Sequence, residues 1–80
     1  FNNNIKIPIQ IDKPNIYVAE IFNISGHSII KLFNKMIGPG FHSFTWDGKN
    51  KYGNGVPSGT YFLVVSNGEI SNKQKILLLK

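Results

Sequence analysis

The stretch IKIPIQI occupies residues 5–11 and alternates isoleucine with lysine, proline or glutamine. Successive side chains of a β-strand point to opposite faces of the sheet, so a period of two predicts a strand with one buried and one solvated face. Pro8 has no N–H group to donate to a neighbouring strand, which places this strand at the edge of a sheet. The segment favours an all-β fold.

Five further segments show strand composition, and turn residues separate them. In the second segment, Ala19 and Ile21 share one face and Glu20 lies on the other. Because an unpaired buried carboxylate is costly, we expect the Glu20 face to be the solvated one. Nowhere do ten or more residues show a helical period. The five segments are residues 16–24, 28–33, 42–46, 61–65 and 70–79, with turns predicted at 12–15, 25–26, 38–40, 47–59 and 67–68.

Short strands at regular spacing, with turns between them, predict an immunoglobulin-like antiparallel β-sandwich of about seven short strands. Residues 1–80 are long enough for one domain of this kind. We expect the apolar face of each strand to fill the space between two sheets. The expected core residues are Trp46, Phe44, Tyr61, Leu63, Ile21 and Leu78.

The net charge of +5 comes from nine lysines, and the chain contains neither arginine nor cysteine. The lysines are scattered from end to end, which is typical of a solubilising surface, and arginine is the usual reader of phosphate and guanine. We therefore expect no nucleic-acid partner. The lack of cysteine excludes disulfides and thiolate metal sites. No apolar run reaches the length of a membrane span, so we expect no transmembrane segment.

The ionisable residues do not suggest catalytic machinery. His27 falls at a hairpin tip, while His42 shares the inward parity of its strand, where we expect a packed, hydrogen-bonded histidine at the edge of the core. Nucleophilic catalysis needs a nucleophile, a base and an orienting acid, and glycoside hydrolysis needs two nearby carboxylates. We expect a domain that is not an enzyme and has no cofactor, since its four acids are spread along the chain: Asp12, Glu20, Asp47 and Glu69.

A calcium site at residues 47–53, DGKNKYG, is the metal hypothesis that the sequence raises. In a calcium loop the third and fifth positions supply oxygen ligands, whereas here they are Lys49 and Lys51, which repel a cation. We expect no metal site, and Asp47 is expected to cap a tight turn through its own side chain.

Two binding hypotheses remain open. Aromatic side chains could form a sugar-stacking platform, but Trp46 and Tyr61 lie on the apolar faces of their strands, which favours a place in the core. Edge strands at residues 5–11 and 70–79 could instead accept a strand from a protein partner. The other aromatic residues considered for a sugar platform are Tyr52 and Phe62.

Residues 40–80, GFHSFTWDGKNKYGNGVPSGTYFLVVSNGEISNKQKILLLK, resemble the closing half of the type A C-terminal sorting domains of type IX secretion cargo proteins. That family is related to the Ig-like domain of flagellar hook-capping proteins. The opening FNNNIKIPIQI and the segment IYVAEIFNISGHSIIKLF are similar to its first three strands. His27 departs from the pattern, since the family often has a charged residue there. The resemblance spans nearly the whole chain.

Three motifs carry the resemblance, in order and at the spacing of the family: the turn WDG at residues 46–48, the stretch PSGTY at 57–61, and a lysine-flanked apolar last strand ending at Lys80. The positions that match the motifs of the family are Pro57, Gly59, Tyr61, Lys75, Leu78 and Lys80.

The resemblance implies a non-catalytic C-terminal secretion signal that targets a larger exported protein through the type IX system. Its implied partners are the outer-membrane secretion machinery, the sortase of that system and an upstream cargo domain of the same chain. The implied location is the periplasm in transit and then the outer-membrane surface or the medium. We expect a monomer. Residues 1–4 lack the basic start and apolar stretch of a signal peptide, so an export signal would precede them.

An alternative function is an Ig-like accessory or linker domain of a secreted enzyme or adhesin, with weak carbohydrate or protein binding. The same motif residues could simply hold the fold. Gly59 would permit a tight strand entry, Pro57 a rigid turn and Tyr61 a core anchor.

Overall fold

The computed structural model describes residues 4–80 and contains two antiparallel sheets packed face to face. Strand β1 (Ile5–Ile11) pairs with β4 (Gly40–Trp46) in the smaller sheet. The larger sheet has the order β3-β2-β5-β6. No helix in the described part is long and apolar enough to cross a membrane. The strands of the larger sheet are β2 (Asn15–Asn23), β3 (Ser28–Ile37), β5 (Gly59–Ser66) and β6 (Ser71–Leu78).

The core lies between the sheets and contains five of the six residues expected there. Phe44 is the exception, because it is only half-buried. It lies on β4, at the margin of the narrow sheet, and its ring packs against that of Phe33 with 4.4 Å between centroids. The residues of the buried cluster are Ile7, Ala19, Ile21, Trp46, Val56, Tyr61, Leu63, Val65, Ile76 and Leu78.

The face assignments of the first two strands are confirmed. β1 pairs only with β4 among the described strands, as Pro8 predicts for an edge strand. Ala19 and Ile21 are fully buried, whereas Glu20 lies on the outer face. There its carboxylate accepts a hydrogen bond of 2.5 Å from the Ser28 hydroxyl, which satisfies the charge at the surface.

The described chain has six strands rather than about seven. Residues 47–58 form a loop with one isolated bridge, Lys49 to Gly55, in place of a further strand. β3 is longer than predicted and continues past Phe33 to Ile37. Its polar second half gives a weak strand pattern, but β2 supplies the pairing, with Tyr17 opposite Lys35.

The turn between β3 and β4 is confirmed, and the turn between β5 and β6 differs from the prediction. Asn-Gly predicts a two-residue hairpin, whereas the loop spans residues 67–70. The Asn67 side-chain oxygen accepts hydrogen bonds from the backbone N–H groups of Glu69 and Ile70, at 2.9 and 2.8 Å. This side chain stabilises the longer loop, and Ile70 is exposed in it rather than paired in β6.

Candidate recognition site

The WDG motif begins the loop at residues 47–58 and fixes its direction. The Trp46 indole Nε1–H donates a hydrogen bond of 2.9 Å to the carbonyl oxygen of Lys49, and the backbone N–H of Lys49 donates to Oδ1 of Asp47 at 3.2 Å. Gly48 has a φ of 73°, which disfavours any residue with a Cβ atom. The expectation that Asp47 caps a tight turn is confirmed.

Hydrogen bonds from backbone N–H groups order the rest of this loop. Oδ1 of Asn50 accepts from the N–H groups of Tyr52 and Asn54, at 3.0 and 3.1 Å. The Lys51 N–H donates a hydrogen bond of 3.0 Å to the carbonyl oxygen of Ile29, and this bond attaches the loop to β3. Within the supposed calcium loop, Oδ1 of Asp47 and Oδ1 of Asn50 therefore already accept backbone hydrogen bonds. No group of three metal-ligating side chains occurs within residues 4–80.

Tyr61 joins this loop to the core. Its hydroxyl donates a 2.6 Å hydrogen bond to the carbonyl oxygen of Pro57, four residues earlier. Its ring meets Trp46 edge to face, with 5.2 Å between centroids, an arrangement that stabilises aromatic pairs. Burial raises the pKa of the Tyr61 hydroxyl above its ordinary value. A tyrosine bonded back to an upstream carbonyl oxygen near the start of a strand is typical of Ig-like sandwiches.

The end of the chain is tied to the same loop. Leu78, in β6, lies opposite Gly59, in β5. Beyond the strand, the Lys80 backbone N–H donates a hydrogen bond of 3.0 Å to Oγ of Ser58. The Lys80 ammonium lies over Gly55, 2.9 Å from the position a Cβ atom would occupy there. The residues that lead into β5 and the residues that follow β6 therefore form one surface.

Five of the six motif positions from the resemblance meet at this end of the sandwich. Tyr61 and Leu78 are buried, so their side chains serve the core and are closed to a partner. Pro57 and Lys80 are exposed. Lys75 is the sixth position, and it lies further along β6, exposed and opposite Phe62. The side chains that a partner could contact are thus those of Pro57, Lys75 and Lys80.

Sequence reasoning overlooked the outer face of β6. Leu77 and Leu79 are 60% and 70% exposed, although they lie in what looks like a continuous apolar segment. The Lys73 ammonium lies 4.3 Å from the centroid of the Phe62 ring, on the same outer face. The period-two rule could have found this face, because Ile76 and Leu78 are buried and alternate with Leu77. The contact from Ser58 to Lys80 leaves no such pattern in the sequence.

The histidines lie where the sequence placed them. His27 is exposed at the β2–β3 hairpin. His42 is half-buried, and its Nε2 lies 2.8 Å from the carbonyl oxygen of Gly38, which ties the ring to the β3–β4 turn. The His42 contact is therefore a structural contact of the fold.

Comparison with known proteins agrees with this architecture. A model of the FlgD Ig-like domain family matches residues 4–69. The crystal structure of FlgD from P. aeruginosa is similar in fold, with a TM-score of 0.73 and 24% sequence identity over 92% of this chain. This chain covers 60% of that protein. No curated protein gives a significant match. The family match covers five of the six strands completely and ends in the turn before β6, so the chain belongs to the family of FlgD Ig-like domains.

Proposed function

We propose that this Ig-like domain is a non-catalytic secretion signal that directs a larger exported protein through a type IX system. Its partners would be the outer-membrane secretion machinery, the sortase of that system and an upstream cargo domain. The cargo would pass through the periplasm to the outer-membrane surface or the medium. The domain itself would act as a monomer.

The observation that carries the proposal is the docking of the C-terminal residues on the loop before β5. The Lys80 N–H bonds to Ser58, and Gly59 lies opposite Leu78. Motif positions at the end of the chain thereby share a surface with those at residues 57–61. This docked segment offers a partner a defined shape together with the exposed charge of Lys80.

A second candidate is an accessory or linker domain of a secreted protein. The family match favours it, because the match is to the FlgD Ig-like domain and ends at residue 69, before β6 begins. Under this function the motif residues serve the fold alone. The surface positions of β6 would then tolerate substitution.

A secretion assay distinguishes the two candidates. Residues 1–80 are fused behind a signal peptide and a fluorescent reporter, in a host with type IX machinery. Deletion of residues 75–80 is a poor variant, because it removes Ile76 and Leu78 from the core. The test variant combines Lys75→Glu with Lys80→Glu, which changes exposed side chains only. The control combines Lys6→Glu with Lys35→Glu, which makes the same change in net charge at two other exposed positions.

We expect the intact fusion and the control to reach the surface or the medium. The variant at Lys75 and Lys80 should stay in the periplasm while remaining resistant to protease. Retention of the intact, folded fusion in the periplasm would exclude the sorting function. Export of all three fusions at equal levels would show that these lysines take no part.

A further inference from the structure

β6 is the edge of the larger sheet that is most open to a further strand. It is paired with β5 alone among the described strands, over eight residues without a register shift and without proline. β1 contains Pro8, which cannot donate to a neighbour. β3 has two register shifts against β2, and its Ile29 carbonyl oxygen already accepts the Lys51 N–H. β4 is regular but carries no charged side chain that could select a partner.

The outer side chains of β6 define what a neighbouring strand should carry. Lys73, Lys75 and Leu77 all point outward and are exposed. Directly opposite residues of adjacent antiparallel strands interact, and opposite charges stabilise while like charges destabilise. A matching strand therefore has acidic residues beside the two lysines and an aliphatic residue beside Leu77.

The space beneath this edge is also open. A groove of about 330 Å³ separates β1 from β6, where the smaller sheet leaves part of the larger one uncovered. Leu63 and Val65 lie in its floor, and Gln74 lies at its rim. The inward side chains of an added strand would lie beside this groove, which can accept small polar or aliphatic groups.

We propose that the free edge of β6 accepts an extended acidic and aliphatic segment of a protein partner as a fifth strand of the larger sheet. This deepens the proposed function by naming the chemistry of the partner. In the register centred on Gln74, antiparallel pairing of two β6 strands would set Lys73 against Lys75, so charge repulsion opposes a second copy of the chain as the occupant. A lipid surface could attract the lysines, but it supplies no array of amide groups for the exposed backbone edge.

The test uses residues 1–80 and a peptide of sequence Val-Leu-Val-Glu-Thr-Glu-Thr-Thr, designed to pair antiparallel to residues 71–78. A second peptide has lysine in place of both glutamates. The protein variants are Lys73→Glu with Lys75→Glu, and the control Lys6→Glu with Lys35→Glu on β1 and β3. Amide chemical shifts and hydrogen exchange locate the contact, and titration gives the Kd.

We expect the acidic peptide to perturb and protect the amides of β6, and the control variant to keep this binding. Reversal of Lys73 and Lys75 should weaken binding of the acidic peptide about tenfold and strengthen binding of the lysine peptide by a similar factor.

Three outcomes would overturn the inference: lack of acidic-peptide binding, perturbation of the amides of β3 or β4 instead of β6, or equal affinity for both peptides. Binding to anionic vesicles but not to the acidic peptide would overturn it in favour of a lipid surface. Peptide binding is measured without secretion, so reporter export without peptide binding would refute this inference alone.

Discussion

The Tyr61 hydroxyl lies 2.6 Å from the carbonyl oxygen of Pro57, and this bond closes the corner where the long loop enters β5. Tyr61 is buried and its ring rests against Trp46, while Pro57 is exposed. One side chain thus connects the core to the loop on which the end of the chain docks. Tyr61 belongs both to the core and to the candidate site, so only a mild substitution can separate its role in stability from its role in recognition.

Tyr61→Phe should lower the free energy of unfolding by about 1 kcal/mol, the usual net value of one hydrogen bond. The ring and its contact with Trp46 remain, so the fold should persist. Urea unfolding monitored by circular dichroism measures the change. Tyr52→Phe is the matched control, because Tyr52 is 76% exposed and should shift stability by less than about 0.5 kcal/mol. Equal effects of the two substitutions would show that the bond to Pro57 contributes nothing.

The raised pKa of Tyr61 predicts a loss of stability in alkali. The folded protein keeps this proton to higher pH than the unfolded chain, whose tyrosines titrate near pH 10. Above about pH 10 the unfolded state therefore binds fewer protons, and stability falls as the pH rises. The advantage of the native chain over Tyr61→Phe should be constant between about pH 6 and 9 and should shrink above about pH 10. A difference that stays constant to high pH would contradict this assignment.

Trp46→Ala should cost about 3 to 5 kcal/mol, because Trp46 is 1% exposed and fills the space between the sheets. Domains of this size have only about 5 to 15 kcal/mol in total, so much of the population should unfold at moderate temperature. Thermal unfolding by circular dichroism tests this. Phe41→Ala is the control of comparable chemistry, since Phe41 is 84% exposed and should change little. If Trp46→Ala unfolds cooperatively with a free energy of unfolding within about 1 kcal/mol of that of Phe41→Ala, then Trp46 is not a core anchor.

The accuracy of the sequence interpretation follows the range of each interaction. Alternation at residues 5–11 depends on one strand and one sheet face, and β1 has those bounds. The end of β3 depends on its pairing with β2, and no local sequence pattern reveals the partner of Lys35. At the site, the spacing of Pro57 and Tyr61 is local, whereas Ser58 and Lys80 are brought together by the β5–β6 pairing. Long-range contacts of this kind require the folded sheet.

Two glycines of the loop at residues 47–58 should respond in opposite ways to alanine. Gly48 has a φ of 73° and is buried, and an alanine there must adopt a left-handed conformation that costs about 1 to 2 kcal/mol. Gly55 lies outside that conformational range, and the atom nearest its absent Cβ is the Lys80 ammonium at 2.9 Å, which ends a flexible side chain and can move away. Because alanine also reduces the entropy of the unfolded chain, Gly55→Ala should be neutral or stabilising by up to about 1 kcal/mol.

Urea unfolding of both glycine variants measures the contrast. Lys80→Ala combined with Gly55→Ala shows whether the Lys80 ammonium resists the new methyl group. Destabilisation by Gly55→Ala that persists in the double variant would show that the site has no room for a methyl group. A neutral Gly48→Ala would refute the role of the WDG turn in directing the loop.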